Sequence, residues 1–129
     1  MITHKDERFF TQAYELAQYG EHRVRVGCVA TIKSTPIAGG FNTVRNITTS
    51  GVHYSAHTNH AEMNVLDMIP YMSRAKVSLY VCRIDSEGLL KPSKPCRRCI
   101  KSIHIVGIKE VIFWDQTIQK IRPSSLISR

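Results

Sequence analysis

Apolar residues recur along this chain with two different periods, and the alternation between them lays out the elements. Over residues 6–19, Phe9, Phe10, Ala13, Leu16 and Ala17 fall on one helical stripe, and Gly20 is the natural stop. "VRVGCVATIK" (24–33) switches to a period of two, with Val24, Val26, Cys28, Ala30 and Ile32 on one side, which predicts a strand. Ser34-Thr35-Pro36 then turns the chain into a second strand ending near Phe41, so the two make a hairpin. From Asn42 to Asn59 the pattern lapses into Thr, Asn, His and Ser. A structureless loop of that length is uncommon inside a compact domain and is often functional.

Helical spacing resumes in "NHAEMNVLDMI" (59–69), where Ala61, Val65, Leu66 and Ile69 share a face. "KVSLYVCRI" (76–84) predicts a third strand, and "DSEGLLKPSKP" (85–95) a loop rich in turn formers. Cys96 to Val106 reads as a helix, with Pro95 ahead of it and Gly107 at its end. "KEVIFWD" (109–115) is a fourth strand, and a last one is expected around Lys120 to Ile127, confined by Pro123 to an edge. The order α-β-β-α-β-α-β, with a final β, predicts an α/β protein: a three-layer α-β-α sandwich around a central mixed sheet. No repeat or linker divides it, so residues 1–129 are expected to form one domain.

Composition adds little to the architecture but narrows the setting. A hydrophobic fraction of 43% with 22% charged residues is ordinary for a globular protein. No stretch approaches the roughly 20 apolar residues that span a bilayer, and "MITHKDERFF" has no apolar run suited to a signal peptide. The reading therefore expects a cytoplasmic protein without a membrane partner. In a reducing compartment four cysteines point to metal or catalysis before disulfides. Cys28 and Cys82 read as small buried apolar residues. Cys96 and Cys99 form a C-x-x-C pair, which alone is compatible with metal binding, redox chemistry or accident. The formal charge of +8 suits an anionic partner such as a nucleotide or nucleic acid, although the only local basic cluster is Lys91, Lys94, Arg97, Arg98 and Lys101.

Two predicted helices begin with potential metal ligands. Cys96 and Cys99 stand three apart on a helix, so both sulfurs can reach one ion. A helix N-terminus favours the thiolate form of each. His60 would supply a neutral imidazole, and three protein ligands with one open position distinguish a catalytic zinc from a structural one. Glu62 lies about 200° around the helix from His60, badly placed as a fourth ligand but suited to taking and returning a proton. Zinc lowers the pKa of a coordinated water to about 7.

"HAE" (60–62) and "PCRRC" (95–99) resemble the signature of the cytidine deaminase-like superfamily of zinc-dependent nucleobase deaminases. The resemblance covers roughly Val24 to Ile118. "HAEMNVL" and "GIKEVIFWD" are most similar to the deoxycytidylate deaminase branch. The resemblance implies a fold of the cytidine deaminase type, one catalytic zinc ion held by His60, Cys96 and Cys99, and Glu62 as the proton shuttle. It also implies that Asn42, in "GGFN", contacts a nucleotide sugar and that the Ala61 amide sits beside the reacting base. A homo-oligomer is implied as well. The chain departs from that branch in the insert "RIDSEGLLKPSK", in its brief C-terminal part, and in lacking the Trp-Ser-Pro-Cys approach of polynucleotide-editing cytosine deaminases.

The function expected is hydrolytic deamination of a cytosine nucleotide or nucleoside, releasing ammonia. The alternatives are deamination of a base within RNA or single-stranded DNA, and an inactive zinc-stabilised binding module. Arg45 is a candidate phosphate partner, with a solvated loop arginine as the alternative. His53 and His57 read as a histidine-rich polar loop, or as contacts to a substrate base or phosphate. Asn64 reads as a bond to a loop backbone or as a surface residue, His104 as helix packing, and Trp114 as core edge.

Overall fold

The computed structural model describes residues 1–21, 23–44 and 58–127. Arg45, His53 and His57 lie outside the described residues. Helix α1 spans His4–Ala17. It opens with a capping box in which Thr3 accepts from the Asp6 amide and Asp6 accepts from the Thr3 amide. Strands β1 (Arg25–Ile32) and β2 (Thr35–Phe41) form the expected antiparallel hairpin. Two residues at either end of the long polar stretch pair as β3 (Thr43–Val44) and β4 (Thr58–Asn59). Helix α2 (Ala61–Leu66) and a 3-10 turn (Tyr71–Lys76) lead into β5 (Val77–Ile84).

After β5 comes the first difference from the sequence reading. Residues 85–95 are not all loop, because Leu90–Lys91 folds back as β6 against Ile84 and Arg83 of β5. A two-residue strand carries too little periodicity to show in a sequence. Helix α3 (Arg97–Val106) follows and ends on Gly107, whose φ of 84° is the left-handed conformation that glycine adopts without strain. Strand β7 (Glu110–Asp115) runs parallel to β5, so β5-α3-β7 is a parallel crossover, the only one among the described residues. The tail also differs from expectation. Its strand, β8 (Thr117–Ile121), starts earlier than Lys120 and pairs antiparallel with β7. Pro123 then opens a short helix, α4 (Pro123–Leu126), at a position where a missing N–H costs nothing.

The sheet order is β2-β1-β5-β7-β8, with β6 attached to β5. It is mixed and covered on both faces. On one face Phe9, Phe10, Ala13 and Ala17 of α1 pack against Val29, Tyr80, Cys82 and Ile112. On the other, Val65 and Leu66 of α2 and Ile103 of α3 pack against Cys28, Ala30, Leu79, Val81 and Val111. The architecture is the three-layer α-β-α sandwich that the pattern predicts. At Gly27 the sheet comes close to α1, and an added Cβ would run into the Ala13 carbonyl oxygen and the Ala17 amide. Cys28 and Cys82 are fully buried, as their apolar surroundings suggest. His104, in contrast, is exposed, because the buried stripe of α3 runs through Cys99, Ile100 and Ile103 and leaves His104 outside it. No helix among the described residues is long and apolar enough to cross a membrane.

Candidate metal centre and catalytic cavity

The helices α2 and α3 present their N-termini to the same place. His60 is the N-cap of α2 and Cys96 the N-cap of α3, both with extended backbone. Each carbonyl accepts the first bond of its helix: Asn64 N donates to His60 O at 3.0 Å, and Ile100 N to Cys96 O at 2.8 Å. Neither side chain caps its own helix. The imidazole and the thiol are thus not spent on capping, and their backbones are fixed by the helix starts. Cys99, one turn into α3, completes the group from a buried position.

The imidazole Nδ1 lies 3.2 Å from Cys99 Sγ and 3.7 Å from Cys96 Sγ. The three ligand atoms all fall within 4.8 Å of one another. A tetrahedral zinc with bonds of about 2.0 Å to nitrogen and 2.3 Å to sulfur has ligand–ligand edges of roughly 3.5–3.8 Å. The observed group fits one such ion. Its charge balance points the same way. Burial pushes the Cys99 thiol well up, and the neighbouring Glu62 and Cys96 push it further, so a cation is what would hold it as a thiolate. Cys28, on β1, is raised by its burial and, to a smaller extent, by Glu62 and Cys99.

Glu62 is only 5% exposed. Burial raises its carboxyl above the ordinary range, against smaller opposing effects of its own backbone amide and His60. It lines a cavity of about 240 Å³ together with His60, Ala61 and Cys96. The opposite wall is Val24, Val26, Val81 and Arg83, with Asn42, Ser93 and Lys94 completing it. Period-two alternation explains the strand contribution, since Val81 and Arg83 lie on one face of β5 and Val26 stands opposite Arg83.

Asn42 does more than line this wall. Its Oδ1 accepts from Val26 N at 2.8 Å, and its Nδ2 donates to Val24 O at 2.9 Å. Its own amide donates to Val26 O at 3.1 Å. The side chain acts as an extra peptide group that continues the pairing of β1 past the end of β2. One Nδ2 hydrogen and one Oδ1 lone pair remain for other partners. Asn64 makes the loop-backbone bond that its position suggests, donating from Nδ2 to Phe41 O at 2.9 Å. Together these amides fix the end of β2 against both β1 and α2.

Three polar cavity residues were not anticipated from the sequence as site residues, Ser93, Arg83 and Lys94, and neither were the valines of the wall. Ser93 is 4% exposed and ties the end of the insert to two strands. Its Oγ donates to Val81 O at 2.8 Å and accepts from Trp114 N at 2.8 Å, while its own amide donates to Trp114 O at 2.9 Å. A serine in a Pro/Ser/Lys stretch gives no sign of contacts this far apart in the chain. For Arg83 a signal existed, namely its place two residues after Val81 in a strand whose odd positions face α2 and α3.

No curated protein matches the chain. Among solved structures, the dCMP deaminase of the cyanophage S-TIM5 superposes with a TM-score of 0.60 at 22% identity, over 81% of this chain and 78% of that one. Cytidine deaminase from Mycobacterium tuberculosis gives 0.59 at 20% identity, over 95% and 94% of the two chains. That from Burkholderia pseudomallei gives 0.65 at 16% identity, over 96% and 95%. These likenesses concern the fold. The family model described as the cytidine and deoxycytidylate deaminase zinc-binding region matches residues 3–115, a span that includes His60, Glu62, Cys96 and Cys99. With a His/Cys/Cys group that could hold one metal ion inside that span, the chain belongs to the zinc-binding cytidine and deoxycytidylate deaminase family.

Proposed function

We propose that this protein is a zinc-dependent hydrolytic deaminase acting on a cytosine nucleotide or nucleoside, with His60, Cys96 and Cys99 as zinc ligands and Glu62 as the proton-transferring residue. The observation that carries the reading is the placement of a buried carboxyl beside three ligand atoms at zinc-like separations, on the wall of one cavity. A purely structural metal site has no use for such an acid.

When bound, zinc acidifies a water and so makes a nucleophile available near neutral pH. The residues do the rest. Glu62 takes the proton that the water gives up, delivers it to the ring nitrogen, and passes a proton to the departing amine, so that water is consumed and ammonia leaves. The valine wall excludes solvent and flanks a flat ring. The spare Nδ2 hydrogen and Oδ1 lone pair of Asn42 serve a sugar hydroxyl, and the first-turn amide of Ala61, which has no partner within its own helix, serves the base. At about 240 Å³ the cavity is smaller than the roughly 300–1,000 Å³ typical for drug-sized ligands, which suits a single heterocycle. The cyanophage enzyme was solved in complex with dCMP and dUMP, which supports a nucleotide of this kind.

Assembly into a homo-oligomer belongs to the same reading. Met68, Tyr71, Met72 and Ile105 are large apolar side chains left exposed on the α2–α3 side.

The test is a deamination screen of zinc-loaded protein against cytidine, deoxycytidine, their monophosphates, guanine, adenosine and short oligonucleotides. Glu62→Gln should retain stoichiometric zinc and lose turnover by at least about a hundredfold, as expected for removal of a general acid–base. Activity persisting without zinc, or zinc-loaded protein that turns over none of these, would refute the proposal. The groove beside the cavity lined by Lys94, Arg97 and Lys101 favours a second reading, in which the base belongs to a single strand. Turnover of the oligonucleotides alone, with binding that weakens steeply in salt, would select it.

A further inference from the structure

The insert between β5 and α3 is firmly built, and its construction sorts the surrounding cations into two kinds. Asp85 organises its turn, with Oδ1 accepting from Glu87 N at 2.8 Å and Leu89 N at 3.0 Å. The Tyr14 hydroxyl of α1 donates to Gly88 O at 2.8 Å, pinning the tip of the turn to the helix. Two basic residues are committed to this scaffold: Arg25 Nη2 donates to Asp85 O at 2.9 Å, and Lys91 Nζ stands 3.6 Å from Asp85 Oδ2.

Two others are not. Arg83 and Lys94 both line the cavity that contains Glu62, and both are exposed at its solvent side. Neither has an ion pair or hydrogen bond among the described residues. Their backbones are nonetheless fixed. Arg83 is paired on one side with Val26 and on the other with Lys91. Lys94 sits between buried Ser93, bonded to two strands, and buried Pro95. The end of β5 and the end of the insert thus bring two uncommitted cations to a cavity that His60, Cys96 and Glu62 also line.

We infer that Arg83 and Lys94 form an anion subsite that takes the phosphate of the substrate, so that the protein selects nucleotides over nucleosides. The identity of the anion rests on the deaminase reading, because a phosphate is the anion that a nucleobase substrate brings. The guanidinium fork matches two phosphate oxygens, and the lysine adds a point charge. The shared chemistry is a phosphate attached to the sugar, whether a free monoester or a diester within a strand.

Calorimetric titration of the zinc-loaded protein with deaminated products tests this without turnover. The matched pairs are uridine against uridine 5′-monophosphate and xanthosine against its 5′-monophosphate, with a short single-stranded oligouridylate as a third arm. At least one phosphorylated form should bind about tenfold or more tighter than its nucleoside. The advantage should fall below about threefold in both Arg83→Gln and Lys94→Gln, with zinc content and nucleoside affinity unchanged, and persist in Lys101→Gln. Whether the monoester or the oligouridylate gains more identifies the source of the phosphate. Equal affinity for nucleosides and phosphorylated forms, or an advantage that survives both substitutions, overturns the subsite. Deamination without any preference for phosphate would refute the subsite and keep the activity. A phosphate preference that follows Arg83 and Lys94 in a protein without turnover would do the reverse.

Discussion

Replacing Asp6 by Asn should cost about 2 kcal/mol, most of it because of one buried charge. Asp6, in the first turn of α1, is 1% exposed. Burial alone would raise its carboxyl, but the Lys120 ammonium, the Tyr80 hydroxyl and the Thr3 amide outweigh it and hold the pKa at about 2, down from 3.8. Lys120 Nζ stands 2.7 Å from Oδ2, and Tyr80 donates to Oδ1 at 2.7 Å. A depression from 3.8 to about 2 corresponds to about 2 kcal/mol of stability. For a chain of 129 residues that is a fall in Tm of roughly 8 °C.

The pH dependence has a definite sign. A carboxyl whose folded pKa is depressed contributes fully above its unfolded value and loses that contribution as pH falls through the folded one. The gap between wild type and Asp6→Asn, measured by urea unfolding, should therefore be constant from pH 7 to 5. It should shrink to about half by pH 3. Any metal-linked change with pH is common to both proteins and cancels in the difference. A gap under about 0.5 kcal/mol at pH 7, or one that stays the same at pH 3, would refute the reasoning.

Other expectations follow from single contacts. Gly27→Ala would drive a Cβ into the Ala13 carbonyl and the Ala17 amide of α1, costing about 3 kcal/mol in chemical denaturation; an unchanged midpoint would mean that α1 can lift off β1 freely. Ser93→Ala removes both a donor to Val81 O, in a buried bond, and an acceptor for Trp114 N, in a partly buried one. A loss of about 1–3 kcal/mol is expected, together with weakened phosphate discrimination from a loosened Lys94; stability within error of wild type would deny Ser93 its tie. Chelation of zinc should lower Tm and expose Cys96 to alkylation before Cys99, since Cys96 is exposed and Cys99 buried. Mass spectrometry that finds Cys99 labelled first would contradict the placement of the two thiols.

Much of this was legible in the chain because the signals were local. The stripe Phe9–Phe10–Ala13–Ala17, the alternation of β1 and β5 and the proline and glycine around α3 are each settled within a few residues. The ligands could be read as far as their residue types and helix starts. What brings His60 against Cys96 and Cys99 is the packing of two helices on one face of a sheet. Neither periodicity nor spacing states this packing; the ligand chemistry of two helix starts suggested one shared ion, and the family resemblance supported it. The rest depends on contacts distant in sequence. Asp6 meets Tyr80 across 74 positions, and Asn42 spends its amide on the backbone of Val24 and Val26. Short elements such as β6 and α4 are stabilised by what they touch, not by a pattern of their own. Arg45, a candidate phosphate partner or a solvated loop arginine by its sequence, lies outside the described residues.

The fastening of Ser93 has a consequence for how such a protein can change. Between Ile84, where β5 ends, and Ser93, where the chain is tied down again, the backbone makes an excursion whose two anchor points do not depend on its length. Closing a longer or shorter excursion costs little, since the entropy of closure grows only with the logarithm of the number of residues. The cysteine-bearing helix starts after the second anchor and would not feel the difference. Selection could therefore rewrite what reaches the cavity from this side, residue by residue or whole, while leaving the ligand geometry as it was inherited.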